Sequence, residues 1–267
     1  MPDSRPLRLV VHGAAGRMGR RIVACAAEDA VRWQLVAAID RFKQGADAGD
    51  LAGSGRYGIA ISETWDVDAD VVIDFSLPGA VAGIAAGCVD RGVPLVVATT
   101  GLDHADDEAI AVAAKRVPVL ISPSMSLAVN IAMDLVGRAG RLLAEVGSRA
   151  DVEIIECHHH HKEDAPSGTA LKFGHIVREA MGQTREAHGR EGRPGARPAD
   201  EIGYHAVRSG DNPGEHTILF GLEGESLSVN VRATNRDSYA RGALAAAAFL
   251  VGKPAGRYGM EDVLGIA

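Results

Sequence analysis

The chain has 267 residues, enough for one large domain or two modest ones around a substantial apolar core. Its 35 acidic and 28 basic side chains give a net charge of −7, the wrong sign for sequence-independent nucleic-acid binding, which needs a dense basic surface. The three cysteines, Cys25, Cys88 and Cys157, are widely spaced with no CxxC pair, so they suggest neither a disulfide framework nor a zinc knuckle and fit a reducing cytoplasm.

The opening Met1-Pro2-Asp3-Ser4-Arg5-Pro6 leads into a run ending at Gly13 that is too brief for the apolar core of a signal peptide. No other segment is long enough to span a bilayer, so no membrane association is expected. Leu9-Val10-Val11 reads as a strand, followed by Gly13-Ala14-Ala15-Gly16-Arg17-Met18-Gly19 and a helical pattern through Ile22, Val23 and Ala26. Strand, glycine turn and helix is the order of a nucleotide-binding unit, although the spacing is GxxGxxG where the usual fingerprint is GxGxxG. Ordinary turns also use glycine, so the pattern alone decides little. A second strand, Leu35 to Ile39, ends at Asp40, about where an acid that binds adenine-ribose hydroxyls should fall. Arg41 follows, and a guanidinium there suits a ribose phosphate, so the pair is compatible with NAD or NADP; a charged turn is the plainer alternative.

Further strands are predicted at Asp70 to Phe75, Pro94 to Ala98 and Pro118 to Ile121, with helical stretches between them. Apolar strands alternating with helices indicate a parallel sheet covered on both faces. Each strand ends in small polar residues: Ser76 with Pro78, then Thr99-Thr100-Gly101, then Ser122-Pro123-Ser124-Met125. In an open parallel sheet these ends line the ligand crevice, and their recurrence points to a nicotinamide-side wall.

After a helix beginning near Ser126 the character changes. Glu153 to Cys157 reads as a strand running into His158, His159, His160, His161 and Lys162. Pro166 stops that strand, and Ser167-Gly168-Thr169 precedes the helical pattern Ala170, Phe173, Val177, Ala180, Met181. Free backbone amides at that helix start attract an anion, and the neighbouring imidazoles and ammonium can move protons. The four histidines also fit a zinc site or a solvated loop. On an extended segment only alternate histidines could meet one metal, with Cys157 or an acid as the further ligand, so no metal is expected. The Gly/Pro/Arg-rich stretch Gly189 to Gly195 reads as a mobile loop, followed by strands at Ile202 to Val207, Glu215 to Leu222 and Ser226 to Ala233. Ala243 to Leu250 reads as an alanine-rich helix that returns to the first domain and stops at Lys253-Pro254.

These motifs closely resemble the dihydrodipicolinate reductase family of lysine and diaminopimelate biosynthesis over nearly the whole chain. The resemblance rests on the Gly13 to Gly19 turn, Thr99-Thr100-Gly101, His158-His159 with Lys162 and Asp164 to Thr169, and the elements Arg208 to Asp211 and Gly214 to Thr217. It implies a Rossmann-like doubly wound α/β domain over residues 1–127 and 237–267. A second α+β domain with a mostly antiparallel or mixed sheet, residues 128–236, would bind substrate and form a homotetramer. The implied reaction is NADH- or NADPH-dependent reduction of 4-hydroxy-tetrahydrodipicolinate, a small dicarboxylate, with closure of the two domains. By motif position His158 is the acid/base residue and Lys162 the second proton donor, while His159, Ser167, Gly168 and Thr169 bind substrate. Cofactor contacts fall on Gly13, Ala14, Ala15, Gly16, Arg17, Met18, Asp40, Arg41, Ala98, Thr99, Thr100, Ser122, Pro123, Ser124 and Met125. His160 and Glu163 fall on variable loop positions. Ala98, Ser124 and Ala128 depart from the residues usual in the family, all on the cofactor side. The rival readings are a nicotinamide reductase for another dicarboxylate or imino acid, a catalytically silent dinucleotide sensor, and a metal-dependent hydrolase.

Overall fold

The computed structural model describes residues 5–266; Met1 to Ser4, which open the stretch read for a leader, lie outside the described residues. It divides into two compact units, one made of the chain up to Leu127 together with the chain from Arg236 onward, the other of Ala128–Asn235. The first begins with β1 (Leu7–His12), α1 (Arg17–Ala27), β2 (Trp33–Ile39), α2 (Ala48–Ala52), β3 (Ile61–Ser62) and β4 (Val71–Asp74). It continues through α3 (Val81–Arg91), β5 (Leu95–Val97), α4 (His104–Ala113) and β6 (Pro118–Ile121). The period-2 alternation of a strand divides β1 between two cores: Leu9 and Val11 enter one with Ile22 and Val23 of α1, and Val10 enters the other with Ile84 of α3 and Ile110 of α4. Both faces are therefore covered, which is why β4 and β5 are buried throughout and read as continuous apolar runs.

The second unit contains most of α5 (Leu127–Glu145), then β7 (Asp151–His158), α6 (Gly168–Met181), β8 (Arg185–His188), β9 (Glu201–Arg208), β10 (Glu215–Gly221) and β11 (Ser226–Arg232). Its sheet has the order β11-β10-β7-β9-β8 and is mixed, β7 pairing antiparallel with β10 and parallel with β9. Val129 and Val136 of α5 and Phe173 and Val177 of α6 pack on Val152, Ile154, Ile218 and Phe220 to form its core. Gly174 lies where the Tyr204 phenol leaves no room for a side chain.

The stretch read as a mobile loop is exposed, with one arginine near its start and another just beyond its end bonded to the sheet. Arg190 bonds Glu153 at 2.7 and 3.1 Å and Glu201 at 2.6 Å, and Arg197 bonds Glu153 at 2.9 Å and Asp151 at 2.8 Å. Glu153 reaches this position because Gly203, beside it on β9, has no side chain in the way. Burial raises the Glu153 carboxyl, but hydrogen bonds from Arg190, His205 and Arg197 prevail and hold it down at about 2. The short strand β8 lies in the same region; its sequence Arg-Glu-Ala-His carries no apolar period to reveal it.

The chain then returns to the first unit through α7 (Asp237–Leu250), β12 (Gly256–Tyr258) and α8 (Met260–Leu264). α7 starts six residues before the predicted helix, and Arg21 of α1 holds its first residue, Asp237, by two bonds of 2.5 and 2.8 Å. Ala240, Ala243, Leu244, Ala246, Ala247 and Leu250 enter the α1-side core. Each of the two leucines contributes about 1.5–3 kcal/mol by burial. Gly242 abuts the Met125 carbonyl, an approach that any side chain would block. With β12 parallel to β6, the first sheet has the order β12-β6-β5-β4-β1-β2-β3, and every pairing among the described strands is parallel. The strand order reverses about β1, placing a ligand crevice at the carboxyl ends of β1 and β4. No helix among the described residues is long and apolar enough to cross a membrane.

Candidate functional site

The densest polar constellation stands at the carboxyl end of β7. Alternation along that strand turns Glu156 and His158, two residues apart, to the same buried face as Val152 and Ile154. Nδ1 of His158 lies 2.5 Å from Glu156 Oε2; the carboxylate accepts, so Nδ1 carries the hydrogen and Nε2 is left as the working nitrogen. Gly214 lies beside Nε2: a methyl group on that glycine would stand 3.0 Å away. Arg208, register partner of His158 on β9, donates to both oxygens of Glu156 at 2.8 Å. The Ser167 amide donates to Oε1 at 3.1 Å. Burial pushes Glu156 up, but the bonds from Arg208 and His158 outweigh it and hold the carboxyl below its ordinary range. Burial also lowers His158, with Glu156 opposing it in part, so the free protein carries this imidazole largely neutral at pH 7.

The turn after β7 leads to a capped helix. Ser167 is the N-cap of α6: its hydroxyl accepts from the Ala170 amide at 3.2 Å and lies 3.1 Å from Nε2 of His216. His216, buried on β10, is pushed down to about 4, chiefly by burial and then by His158, so it is neutral and accepts the Ser167 hydroxyl. The amides of Gly168 and Thr169 have no acceptor within the helix, and no acidic side chain stands in the first turn. Lys162 lies in the preceding loop, its ammonium 2.8 Å from Asp164, whose carboxyl this bond lowers.

The four histidines separate. His158 ends the strand and is buried. His159 is half-buried, with Nδ1 enclosed and lacking a hydrogen-bond partner. His160 is exposed, bonds the Gly210 carbonyl at 2.8 Å, and has its ring 3.9 Å from that of His161. Among the described residues, no three His, Cys, Asp or Glu side chains are grouped to hold a metal ion.

The first unit carries the glycine turn. A side chain on Gly13 would meet the Phe75 carbonyl at 2.5 Å, and one on Gly19 would strike the Gly13 carbonyl, so these two glycines bring β1, the β4 end and α1 together. Gly16 caps α1 without a side-chain bond, which leaves the Arg17 and Met18 amides without helical acceptors. Asp40 accepts from the Ala15 amide at 3.0 Å and the Phe42 amide at 2.9 Å, so it braces the turn as well as closing β2. The exposed Arg41 guanidinium lies 4.9 Å over the Phe42 ring. Thr99 is buried and bonds Asp74 at 2.6 Å, while Thr100 is exposed. The Ala98 methyl is buried in the α1-side core. Ser122 bonds the Ser124 carbonyl at 2.8 Å, the Ser124 hydroxyl accepts from the Ser126 amide at 3.4 Å, Pro123 is exposed and Ala128 is exposed. Met125, 1% exposed, has its side chain in the core, so it can offer a ligand only its backbone.

Sequence reasoning gave no role to Glu156, Arg208, His216 or Gly214, nor to the half-buried His12 and the buried Asp74, whose Nδ1 and Oδ1 lie 2.6 Å apart. The signal available for Glu156 was its two-residue spacing from His158 on a strand. Arg208 needed the parallel register of β9.

The model of the dihydrodipicolinate reductase N-terminus matches residues 7–125, and that of the C-terminus matches residues 128–264. A 4-hydroxy-tetrahydrodipicolinate reductase of Rhodopirellula baltica is 52% identical, covering 100% of this chain and 99% of the relative. One from Alkalilimnicola ehrlichii is 44% identical over 97% of this chain and 99% of the relative. Among solved structures, a dipicolinate-bound dihydrodipicolinate reductase from Paenisporosarcina sp. TG-14 superposes with a TM-score of 0.74 at 26% identity, covering 96% of this chain and 99% of that one.

Proposed function

The chain belongs to the dihydrodipicolinate reductase family, and from that premise we propose how its own residues carry the reaction. It catalyses the NADH- or NADPH-dependent reduction of 4-hydroxy-tetrahydrodipicolinate, a small dicarboxylate, in lysine and diaminopimelate biosynthesis. The observation that carries the assignment of roles is the single strand, loop and helix start that holds a buried imidazole on Glu156 and offers amides at Gly168 and Thr169.

The first unit is the dinucleotide-binding domain. Its residues fit such a cofactor: the α1 start offers two unspent amides, no side chain at Gly16 and no acidic residue in the first turn. Gly13 to Met18 would hold the pyrophosphate, Asp40 and Arg41 the adenine ribose, Ala98 to Thr100 and Ser122 to Ser124 the nicotinamide side, with Met125 contributing backbone. Reduced nicotinamide, when bound, supplies the hydride.

The second unit is the substrate domain. Gly168 and Thr169 amides with Ser167 take one substrate carboxylate, and His159, half-buried in the loop before this helix, binds the same ligand. Lys162, now on the exposed Asp164, can exchange that partner for a substrate carboxylate and steady developing charge. His158 holds and delivers the proton at Nε2, and bound carboxylates favour its protonated form. The enzyme is a cytoplasmic homotetramer in this reading: Cys25, Cys88 and Cys157 are free thiols. The sheet face of the second unit turned away from α5 and α6 exposes Ile155 and Val207, 39% and 44% accessible. A monomer by sedimentation would remove the tetramer.

Nicotinamide absorbance, followed while the substrate is generated from pyruvate and aspartate semialdehyde, tests the whole assignment with each cofactor. Oxidation that depends on substrate, proceeds with both NADH and NADPH and collapses in His158→Gln is expected. Near-normal turnover in that variant would refute the role of His158, and inertness of either cofactor the dual use.

A further inference from the structure

A buried carboxylate against an imidazole makes, by itself, a poor proton carrier, because the negative charge favours a permanent imidazolium. Glu156 is 1% exposed and lies 2.5 Å from Nδ1 of His158. Its charge is met by the Arg208 fork, one nitrogen on each oxygen at 2.8 Å, and Oε2 is shared between the guanidinium and the imidazole. The second nitrogen of the fork also donates to the Asp164 carbonyl at 2.6 Å, on the turn that carries Lys162. The arginine therefore ties the carboxylate behind His158 to the loop that carries Lys162.

We propose that Arg208 is the positioning residue that keeps His158 a usable proton carrier: it locks the Glu156 carboxylate against Nδ1 while cancelling its charge, so that the imidazole exists in both protonation states. The inference rests on His158 as the proton donor. The charged and titratable groups around that ring are Glu156 on its own strand, Arg208 on β9, His216 on β10 at 5.2 Å between ring centroids, and Lys162 in the loop. His216 is neutral, and Lys162 and Arg208 both oppose the imidazolium, so Glu156 is the one group favouring it. Removal of Arg208 takes away one of the charges that oppose it, leaving burial and Lys162 against it.

The test is kcat/KM against pH for the complete enzyme with saturating cofactor. As a proton donor His158 gives a limb on which activity falls as pH rises through its pKa. Arg208→Gln moves this limb to higher pH, and Glu156→Gln moves it lower. The double variant lies between the two. Arg208→Lys keeps the charge without the fork, so the limb stays within a few tenths of a unit while kcat falls about tenfold. A folded Arg208→Gln enzyme with an unmoved or lowered limb overturns the proposal, as does Glu156→Gln leaving the limb in place should Arg208→Gln not fold. A merely structural arginine would lower Tm in both Arg208 variants and move neither limb. If His158→Gln retains the limb, the proton-donor reading is what fails. NMR titration of the His158 imidazole then still decides Arg208, since its midpoint rises in Arg208→Gln or the proposal is wrong.

Discussion

Each unit sets one histidine against one buried carboxylate at the carboxyl end of a strand, and the two pairs are completed differently. In the first unit His12 meets Asp74 at 2.6 Å, and the other Asp74 oxygen takes the Thr99 hydroxyl at 2.6 Å. In the second, His158 meets Glu156 at 2.5 Å, and a guanidinium fork together with the Ser167 amide takes the rest of that carboxylate. Asp74 joins the ends of β1 and β4 to the loop after β5, so its hydrogen bonds act as a clamp on three strand ends that flank the glycine turn. Glu156 has its charge met by Arg208, holds the Ser167 amide and one edge of the imidazole, and leaves the opposite edge free for chemistry. The same two side-chain types thus serve shape in one place and proton movement in the other, and the third partner makes the difference.

Loss of the working imidazole should have the largest effect. His158→Gln is expected to lower kcat by about 10²–10⁴-fold with cofactor affinity nearly unchanged, whereas His12→Gln should leave kcat within a few-fold. Equal losses of kcat in the two variants would dissolve the distinction. Next comes Gly214→Ala, whose methyl would stand 3.0 Å from Nε2 at a backbone φ of +147°. A displacement of the ring should lower kcat by about 10–100-fold, and full activity in single-turnover kinetics would mean the ring has room to spare. Thr99→Val removes the hydroxyl from a fully buried Asp74, so about 1–3 kcal/mol of stability and a several-fold rise in the cofactor KM are expected, with kcat kept. Denaturant unfolding and saturation kinetics together check this; an unchanged KM would confine Asp74 to stability.

The smallest effect concerns neither pair but the Arg190–Glu153–Arg197 cluster. Glu153 is held down at about 2, so its contribution to stability is complete above its ordinary range near 4.5 and fades as pH falls toward 2. Glu153→Gln should therefore flatten the dependence of Tm on pH between about 5 and 2. An acid slope identical to that of the parent protein would show that the cluster adds nothing.

The sequence made the architecture legible wherever burial imposed a period. β1, β2, β4, β5 and β6 stand out as apolar runs because a parallel sheet covered on both faces demands them. β8 and β12 do not, since short charged or glycine-containing edge strands take their pairing from a neighbour already in place. The glycine turn, Lys162 and the Ser167 cap were readable because chemistry and local geometry coincide within a few residues. The side-chain direction of Met125, named among the cofactor contacts, was not legible: Gly242 of the returning helix lies against its carbonyl and the side chain turns into the core. Arg208 and Asp74 stayed silent because their meaning arises from partners on other strands, 52 residues away for Glu156 and 62 for His12.

The discontinuity of the first unit also sets a timetable for biosynthesis. A ribosome makes β1 and α1 at the outset and α7 near the end, yet Leu9, Ile22 and Val23 share one core with Ala243, Leu244 and Leu250. The first-made half therefore waits, with that flank uncovered, while the second unit is translated. A nascent chain arrested at residue 236 should be cut by protease in its first unit while the second resists, and release of some thirty more residues should seal it.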